Sequence, residues 1–269
     1  MAQRVAVIGA GKMGEALIAG MLRSGRRPGD LVASVRSAQR AGELTERYGI
    51  RVLPAAEAVH AADTLLLAVK PQDMAALLDQ IADRVDADRL VVTIAAGIPT
   101  SFVERRLAAG TPVVRVMSNT PVLVDEAMSA LSAGSHATEE HLQRAEEIFD
   151  PVGRTMRVPE SQQDAVTALS GSGPAYVYYL VEAMTDGGIL LGLPRTVAHD
   201  LVVQAVVGAA VMLRDSGEHP VILREAVTSP AGTTIAAIRE LEVHGVRAAF
   251  LAALEAARDR ARELSTGAG

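Results

Sequence analysis

An apolar run, Val5-Ala6-Val7-Ile8, leads straight into Gly9-x-Gly11-x-x-Gly14 and then into the helix-forming stretch Lys12 to Leu22. No other feature constrains the fold of this chain so tightly. In such a turn the first glycine permits a sharp reversal and the second leaves bare backbone beside a pyrophosphate. The third lets the helix pack close to the strand. The unpaired N–H groups that open the helix then form an anion site. Ile8, Gly9, Ala10, Gly11, Lys12, Met13 and Gly14 are therefore the expected dinucleotide turn. A bare glycine spacing is weakly selective, and it is the strand before and the helix after that carry the reading.

The first half alternates short β-branched runs with amphipathic stretches. The runs are Val5–Ile8, Leu31–Val35, Thr64–Val69, Leu90–Ile94, Val113–Val116 and Ala127–Leu131, with a short apolar edge near Thr155–Val158. Helical periodicity covers Ala38–Tyr48, Asp73–Arg84, Ser101–Leu107 and Glu139–Phe149. Strands alternating with helices predict an α/β, doubly wound, mainly parallel sheet of the Rossmann type. After Glu160 strand signals stop, and Ser161–Leu169, Pro174–Leu191, Pro194–Ser216, Val221–Val227 and Thr234–Leu264 all read as helix. The expected division is a dinucleotide-binding domain over 1–159, an all-α substrate and dimerisation domain over 160–265, and a disordered tail over 266–269.

Composition narrows the partners. The chain has 269 residues, 26 basic and 32 acidic side chains, and a net charge of −6, which argues against non-specific nucleic-acid binding. Aromatic residues make up only 3%, so base-stacking platforms are not expected. The absence of cysteine excludes disulfides, thiolate metal ligands and a cysteine nucleophile together. No secretory pattern opens the chain, and a cytoplasmic location is expected. The longest apolar stretch, Leu201 to Leu213, reads as too short to span a bilayer and as a deeply buried helix. It is apolar nearly all round, so it needs partners on every side, which points to a subunit interface.

The end of the second strand usually selects the dinucleotide. A carboxylate there would suit the ribose of NAD(H), but here the strand ends in Arg36-Ser37. NADP(H) is thus favoured, with Ser34, Arg36 and Ser37 as the 2′-phosphate contacts and NAD(H) as the alternative. Ligands of parallel sheets lie outside the strands' carboxyl ends. Ala68, Val69, Lys70 and Pro71 after the third run, and Ala95 and Ala96 after the fourth, are expected to face the ribose and nicotinamide.

The second half carries Ser170-Gly171-Ser172-Gly173-Pro174-Ala175-Tyr176, Asp186-Gly187-Gly188 and Val227-Thr228-Ser229-Pro230-Ala231-Gly232-Thr233-Thr234-Ile235. Together with Val69-Lys70-Pro71 and Met117-Ser118-Asn119-Thr120-Pro121, in order from residue 4 to residue 264, this set resembles the pyrroline-5-carboxylate reductases. The resemblance implies reduction of 1-pyrroline-5-carboxylate to L-proline with NAD(P)H, a homodimer that in some members assembles into a decamer, and a substrate site at the dimer interface. By the same resemblance Thr234 offers its hydroxyl to the pyrroline nitrogen as the catalytic contact. Thr233 binds the substrate carboxylate through backbone, and Glu160 lies near the substrate. Ordinary helix capping is the competing explanation for the two threonines. Ala231 stands where many relatives have glycine, and Ala55 and Ala226 where some have asparagine on the cofactor.

Other chemistries find less support. The six histidines show no metal-ligand spacing, so no metal is expected. Ser172 lacks the glycine two residues earlier that a nucleophile elbow needs. Two rival functions stay open at this point: a non-catalytic NADP(H)-binding regulator, and another imine or hydroxy-acid oxidoreductase of the same architecture. The hydroxy-acid enzymes generally place a Lys or His on the first long helix of the second domain, and Ser170 to Leu191 contains neither.

Overall fold

The computed structural model describes residues 3–267. Two compact units emerge. The first comprises the chain through Ser172 together with the residues from Ala257 on, and the second is Gly173–Ala256.

In the first unit eight strands form one sheet, in the order β3-β2-β1-β4-β5-β6-β7-β8. They are β1 (Val5–Ile8), β2 (Leu31–Ser34), β3 (Arg51–Val52), β4 (Thr64–Leu67), β5 (Leu90–Thr93), β6 (Val113–Met117), β7 (Ala127–Ala133) and β8 (Gly153–Arg157). All neighbours run parallel except β6 and β7. The sheet is apolar on both faces because helices cover both. Val5, Val7, Leu31, Ala33 and Leu66 pack on one side with Leu17, Ile18, Met21 and Phe149. Ala6, Ile8, Val32, Leu65 and Leu67 pack on the other with Met74, Leu78 and Phe102. The covering helices are α1 (Lys12–Arg23), α2 (Ala38–Tyr48), α3 (Ala55–His60), α4 (Met74–Ile81), α5 (Thr100–Glu104), α6 (Glu139–Phe149) and the single turn α7 (Gln163–Val166). The two-residue strand β3 and the short α3 were not anticipated; each is shorter than the periods that reveal strands and helices in a sequence.

β1 sits between β2 and β4, so the chain leaves it first in one direction and then in the other. This is the topological switch point at which open α/β sheets bind ligands. The Gly9–Gly11 turn stands at its mouth.

The second unit is helical: α8 (Gly173–Leu190), α9 (Arg195–Ser216), α10 (Pro220–Ala226), α11 (Thr233–Val243) and the greater part of α12 (Val246–Gly267). A continuous helix over Thr234–Leu264 is replaced by two, because Gly245 adopts φ +65 and its amide bonds back to Glu242 O. That left-handed glycine is a standard helix stop. Of the tail expected to be disordered, residues 266 and 267 continue α12, while 268 and 269 lie outside the described residues.

Two expectations about the Leu201–Leu213 stretch require correction. It belongs to a 22-residue helix, α9, which among the described residues is the one helix long and apolar enough to cross a membrane by length and composition. Nor is it deeply buried within the chain: Leu201 and Met212 are each 58% exposed and Val207 49%. On α8, Tyr178 and Tyr179 are likewise exposed. An apolar surface of this extent on one chain marks a surface that something else covers.

Candidate active site

The glycine turn has a distinct geometric reason at each position. Gly9 adopts φ +88, and a Cβ there would lie 2.6 Å from Val69 Cγ1 and 2.9 Å from Val69 N. Gly14 faces Val7 and Ala68, which a Cβ would meet at 3.1 and 3.4 Å. Gly11 differs: its Cβ would meet only Gly9 O, at 3.9 Å, so its side is open. Gly11 also opens α1, and the first N–H groups of any helix lack partners inside it. Gly9 N and Ala10 N both donate to Ser34 O, at 2.8 and 3.3 Å, which ties the turn to the end of β2. Bare backbone, an open side and a helix start together fit a pyrophosphate.

The turn floors a concavity of about 710 Å³. Of the residues expected to bind cofactor, Ile8, Gly9, Ala10, Gly11, Ser34, Arg36, Ser37, Ala68, Val69 and Lys70 line it. Lys12, Met13, Gly14, Pro71, Ala95 and Ala96 do not. Residues that the expectation omitted line it too, among them Arg40, Pro54, Gln72, Asp73, Ala76 and Gln80. Ala55, singled out as a departure from the family pattern, also faces this space. Gln72 and Asp73 follow Lys70-Pro71 immediately, beyond the carboxyl end of β4, so the strand-end position that marks Lys70 marks them as well.

Cations dominate the β2 side of this space, and they differ in freedom. Arg40 is held by the Glu15 carboxylate and, at 3.1 Å, by Glu43. Glu15 also accepts from Arg47 at 3.0 Å and from Tyr48 Oη at 2.9 Å. Burial pushes the Glu15 carboxyl upward, but the hydrogen bonds from Arg40 and Tyr48 and the charges of Arg40 and Arg47 outweigh it. The result is a pKa below the ordinary value. Arg36, 80% exposed, has one ion pair among the described residues, with Asp73 at 3.1 Å. Ser37 accepts from Arg40 N at 3.4 Å and so caps α2.

Past the carboxyl end of β6, in the same unit, two sequence motifs meet. Asn119 Nδ2 donates to Ser170 O and Oγ at 3.2 and 3.3 Å, while its Oδ1 accepts from Met128 N at 3.1 Å. Ser170 lies in a turn of π-helix over Thr167–Gly171, a feature frequent at functional sites. Nearby, both oxygens of Glu160 are occupied. Thr100 N donates to Oε1 at 2.8 Å, Thr100 Oγ1 to Oε2 at 2.6 Å, and Arg115 Nη1 to Oε1 at 3.3 Å.

In the second unit Thr233 and Thr234 are the first two residues of α11, behind Gly232 as the capping residue. The capping explanation therefore does not account for either hydroxyl. Ala231 holds φ +52, one of two non-glycine residues with positive φ among those described. No group of three His, Cys, Asp or Glu that could hold a metal ion occurs among the described residues.

A family model described as pyrroline-5-carboxylate reductase dimerisation matches residues 160–264, and one described as NADP oxidoreductase, coenzyme F420-dependent, matches residues 4–97. The pyrroline-5-carboxylate reductase of Corynebacterium melassecola is 44% identical over 97% of this chain and 98% of its own. The solved structure of a pyrroline-5-carboxylate reductase from Coxiella burnetii aligns with TM-score 0.93 at 33% identity, covering 98% and 99% of the two chains. That of Plasmodium falciparum pyrroline carboxylate reductase with NADP bound aligns with TM-score 0.87 at 26% identity, covering 98% of each.

Proposed function

The chain belongs to the pyrroline-5-carboxylate reductase family, and on that premise we propose that it reduces 1-pyrroline-5-carboxylate to L-proline with NADPH as the favoured donor. The observation that carries this reading is the switch-point concavity, with its bare Gly9–Gly11 turn and Arg36, in a chain similar end to end to such reductases.

In this reading Ile8 to Gly11 hold the pyrophosphate on backbone N–H groups, with Lys12 to Gly14 behind them as the first turn of α1, and Ser34, Arg36 and Ser37 hold the 2′-phosphate. Ala68, Val69 and Lys70 lie along the sugar and ring, while Pro71, Ala95 and Ala96, outside the concavity, follow the same strand ends. NAD(H) is the weaker alternative, since no carboxylate ends β2. When bound, the reduced nicotinamide supplies a hydride to the C=N carbon. The chain's own task is to hold the substrate still. Thr234 hydrogen-bonds the ring nitrogen, which takes a proton from solvent and ends as the ring amine, and the start of α11 at Thr233 holds the substrate carboxylate. Glu160 lies near the substrate and, with both oxygens engaged, orders that side of the site by positioning α5 and Arg115. No metal is used.

The reading divides the chain into a cofactor domain over 1–159 and a substrate and dimerisation domain over 160–265. It places the enzyme in the cytoplasm as a homodimer, with decamers as the higher assembly, and without nucleic-acid or membrane partners. The exposed faces of α8 and α9 support a protein partner, because the dimerisation model covers both helices. Val207→Arg, tested by gel filtration with light scattering, is expected to give monomers.

The decisive assay is NADPH oxidation with 1-pyrroline-5-carboxylate. Wild-type protein should turn over, and Thr234→Ala should lose about 10²-fold in kcat, typical of losing one hydrogen bond at the reacting group. Cofactor binding without turnover by the wild type would leave the regulator reading standing instead.

A further inference from the structure

We propose that Asp73 is a specificity-determining residue of the dinucleotide site, whose carboxylate weakens binding of a 2′-phosphorylated dinucleotide relative to its unphosphorylated counterpart. The inference rests on reading the concavity as the dinucleotide site and deepens it.

Arg36 and Asp73 reach the same space from different strands. Arg36 follows β2, and Asp73 closes the turn Pro71–Asp73 that follows β4. Both line the concavity, and they pair at 3.1 Å. The other arginine beside β2, Arg40, is held by Glu15 and Glu43 and cannot swing to a phosphate without breaking both pairs. Arg36 is thus the adjustable cation, and Asp73 is the group that competes for it.

A 2′-phosphate brings a charge approaching −2 to the guanidinium. Either the Arg36–Asp73 pair opens, or the phosphate shares Arg36 with a carboxylate at close range. Both outcomes disfavour the phosphorylated ligand, and neither touches a ribose that carries only hydroxyls. An exposed ion pair contributes little by itself. Repulsion between a carboxylate and a dianion within a Debye length adds to it. Together they set the expected effect at about three- to tenfold in affinity.

Beyond this pair, the Asp73 carboxylate contributes only the small favourable effect of a negative charge at the start of α4. Asp73 precedes α4 without a side-chain cap hydrogen bond, and its backbone N donates to Lys70 O at 2.9 Å. Asparagine and serine at that position remove the charge without removing a cap hydrogen bond.

The test uses the full-length protein and measures Kd for NADPH and for NADH by nicotinamide fluorescence. Wild type, Asp73→Asn, Asp73→Ser and Arg36→Gln are compared at low and high salt. Both Asp73 variants should bind NADPH about three- to tenfold more tightly while NADH changes less than about twofold, and high salt should shrink the gain. Equal changes for both dinucleotides, or no tightening of NADPH, would overturn the role of Asp73 and leave the site reading intact. If the wild type binds neither dinucleotide, or Arg36→Gln weakens NADPH no more than NADH, the site reading itself falls and the inference with it.

Discussion

Arg115 and Glu160 form an ion pair at 3.3 Å in which the guanidinium is almost wholly buried and the carboxylate is shared with the first residue of α5. Asp164 approaches the same arginine at 4.0 Å and also accepts from Ser265 Oγ at 3.1 Å, so strand β6 and the end of α12 share one polar cluster.

Removing Glu160 therefore bears on stability before it bears on substrate. Breaking a buried ion pair by deleting one partner costs about 3–5 kcal/mol. The Glu160 carboxylate is partly exposed, so Glu160→Ala is expected to cost about 2–3 kcal/mol in a urea titration, and Glu160→Gln less. A rise in KM with unchanged stability would reassign Glu160 to direct substrate contact.

The glycine turn separates folding from binding. Gly9→Ala puts a methyl group onto Val69 in a left-handed backbone, and strain with overpacking should cost about 2–4 kcal/mol. Gly11→Ala meets nothing closer than 3.9 Å at φ −74, so its stability should stay within about 1 kcal/mol. Its methyl group occupies the open side, and NADPH should bind at least tenfold more weakly. Thermal melts beside NADPH titrations check both. A destabilised Gly11→Ala with normal binding would contradict the assignment.

These two glycines also show what the sequence makes legible. Gly9, Gly11 and Gly14 act through local backbone geometry, which spacing records directly, and β1, α1, α2 and α6 follow the same local rules. The Arg115–Glu160 pair and the Asn119–Ser170 contact join residues 45 and 51 positions apart. Nothing in the local pattern around either partner names the other. The exposure of α9 was hidden for a related reason: an apolar helix reads the same whether its own chain or another covers it.

His141 links stability to pH. Its Nδ1 accepts from Thr138 N at 3.0 Å and so completes a capping box at the start of α6. Burial, with the Arg144 charge beside it, holds the imidazole below its ordinary pKa. The unfolded chain takes the proton more readily. The contribution is thus complete above the unfolded value of about 6.5 and is lost as pH falls through the folded one. His141→Gln keeps an acceptor without the titration. Between pH 7 and 5 the wild type should lose about 0.5–1 kcal/mol more than the variant, the usual worth of a cap. Parallel pH slopes in chemical denaturation would remove His141 from this role.

Ala231 holds the turn before α11 at φ +52, a conformation that costs an alanine about 1–2 kcal/mol. Gly232 N donates back to Ser229 O at 3.0 Å and closes the same turn. Glycine adopts this backbone freely, although its larger unfolded-state freedom returns part of the gain. Ala231→Gly should therefore raise stability by about 0.5–1 kcal/mol and leave kcat within twofold, because the start of α11 keeps its place. Ala231→Val sets a β-branched side chain in the left-handed region, where it fits poorly. It should lower the melting temperature and, by shifting Thr233 and Thr234, reduce kcat with it. A glycine variant that melts below the wild type would mean that residue 231 does not carry the strain assigned to it.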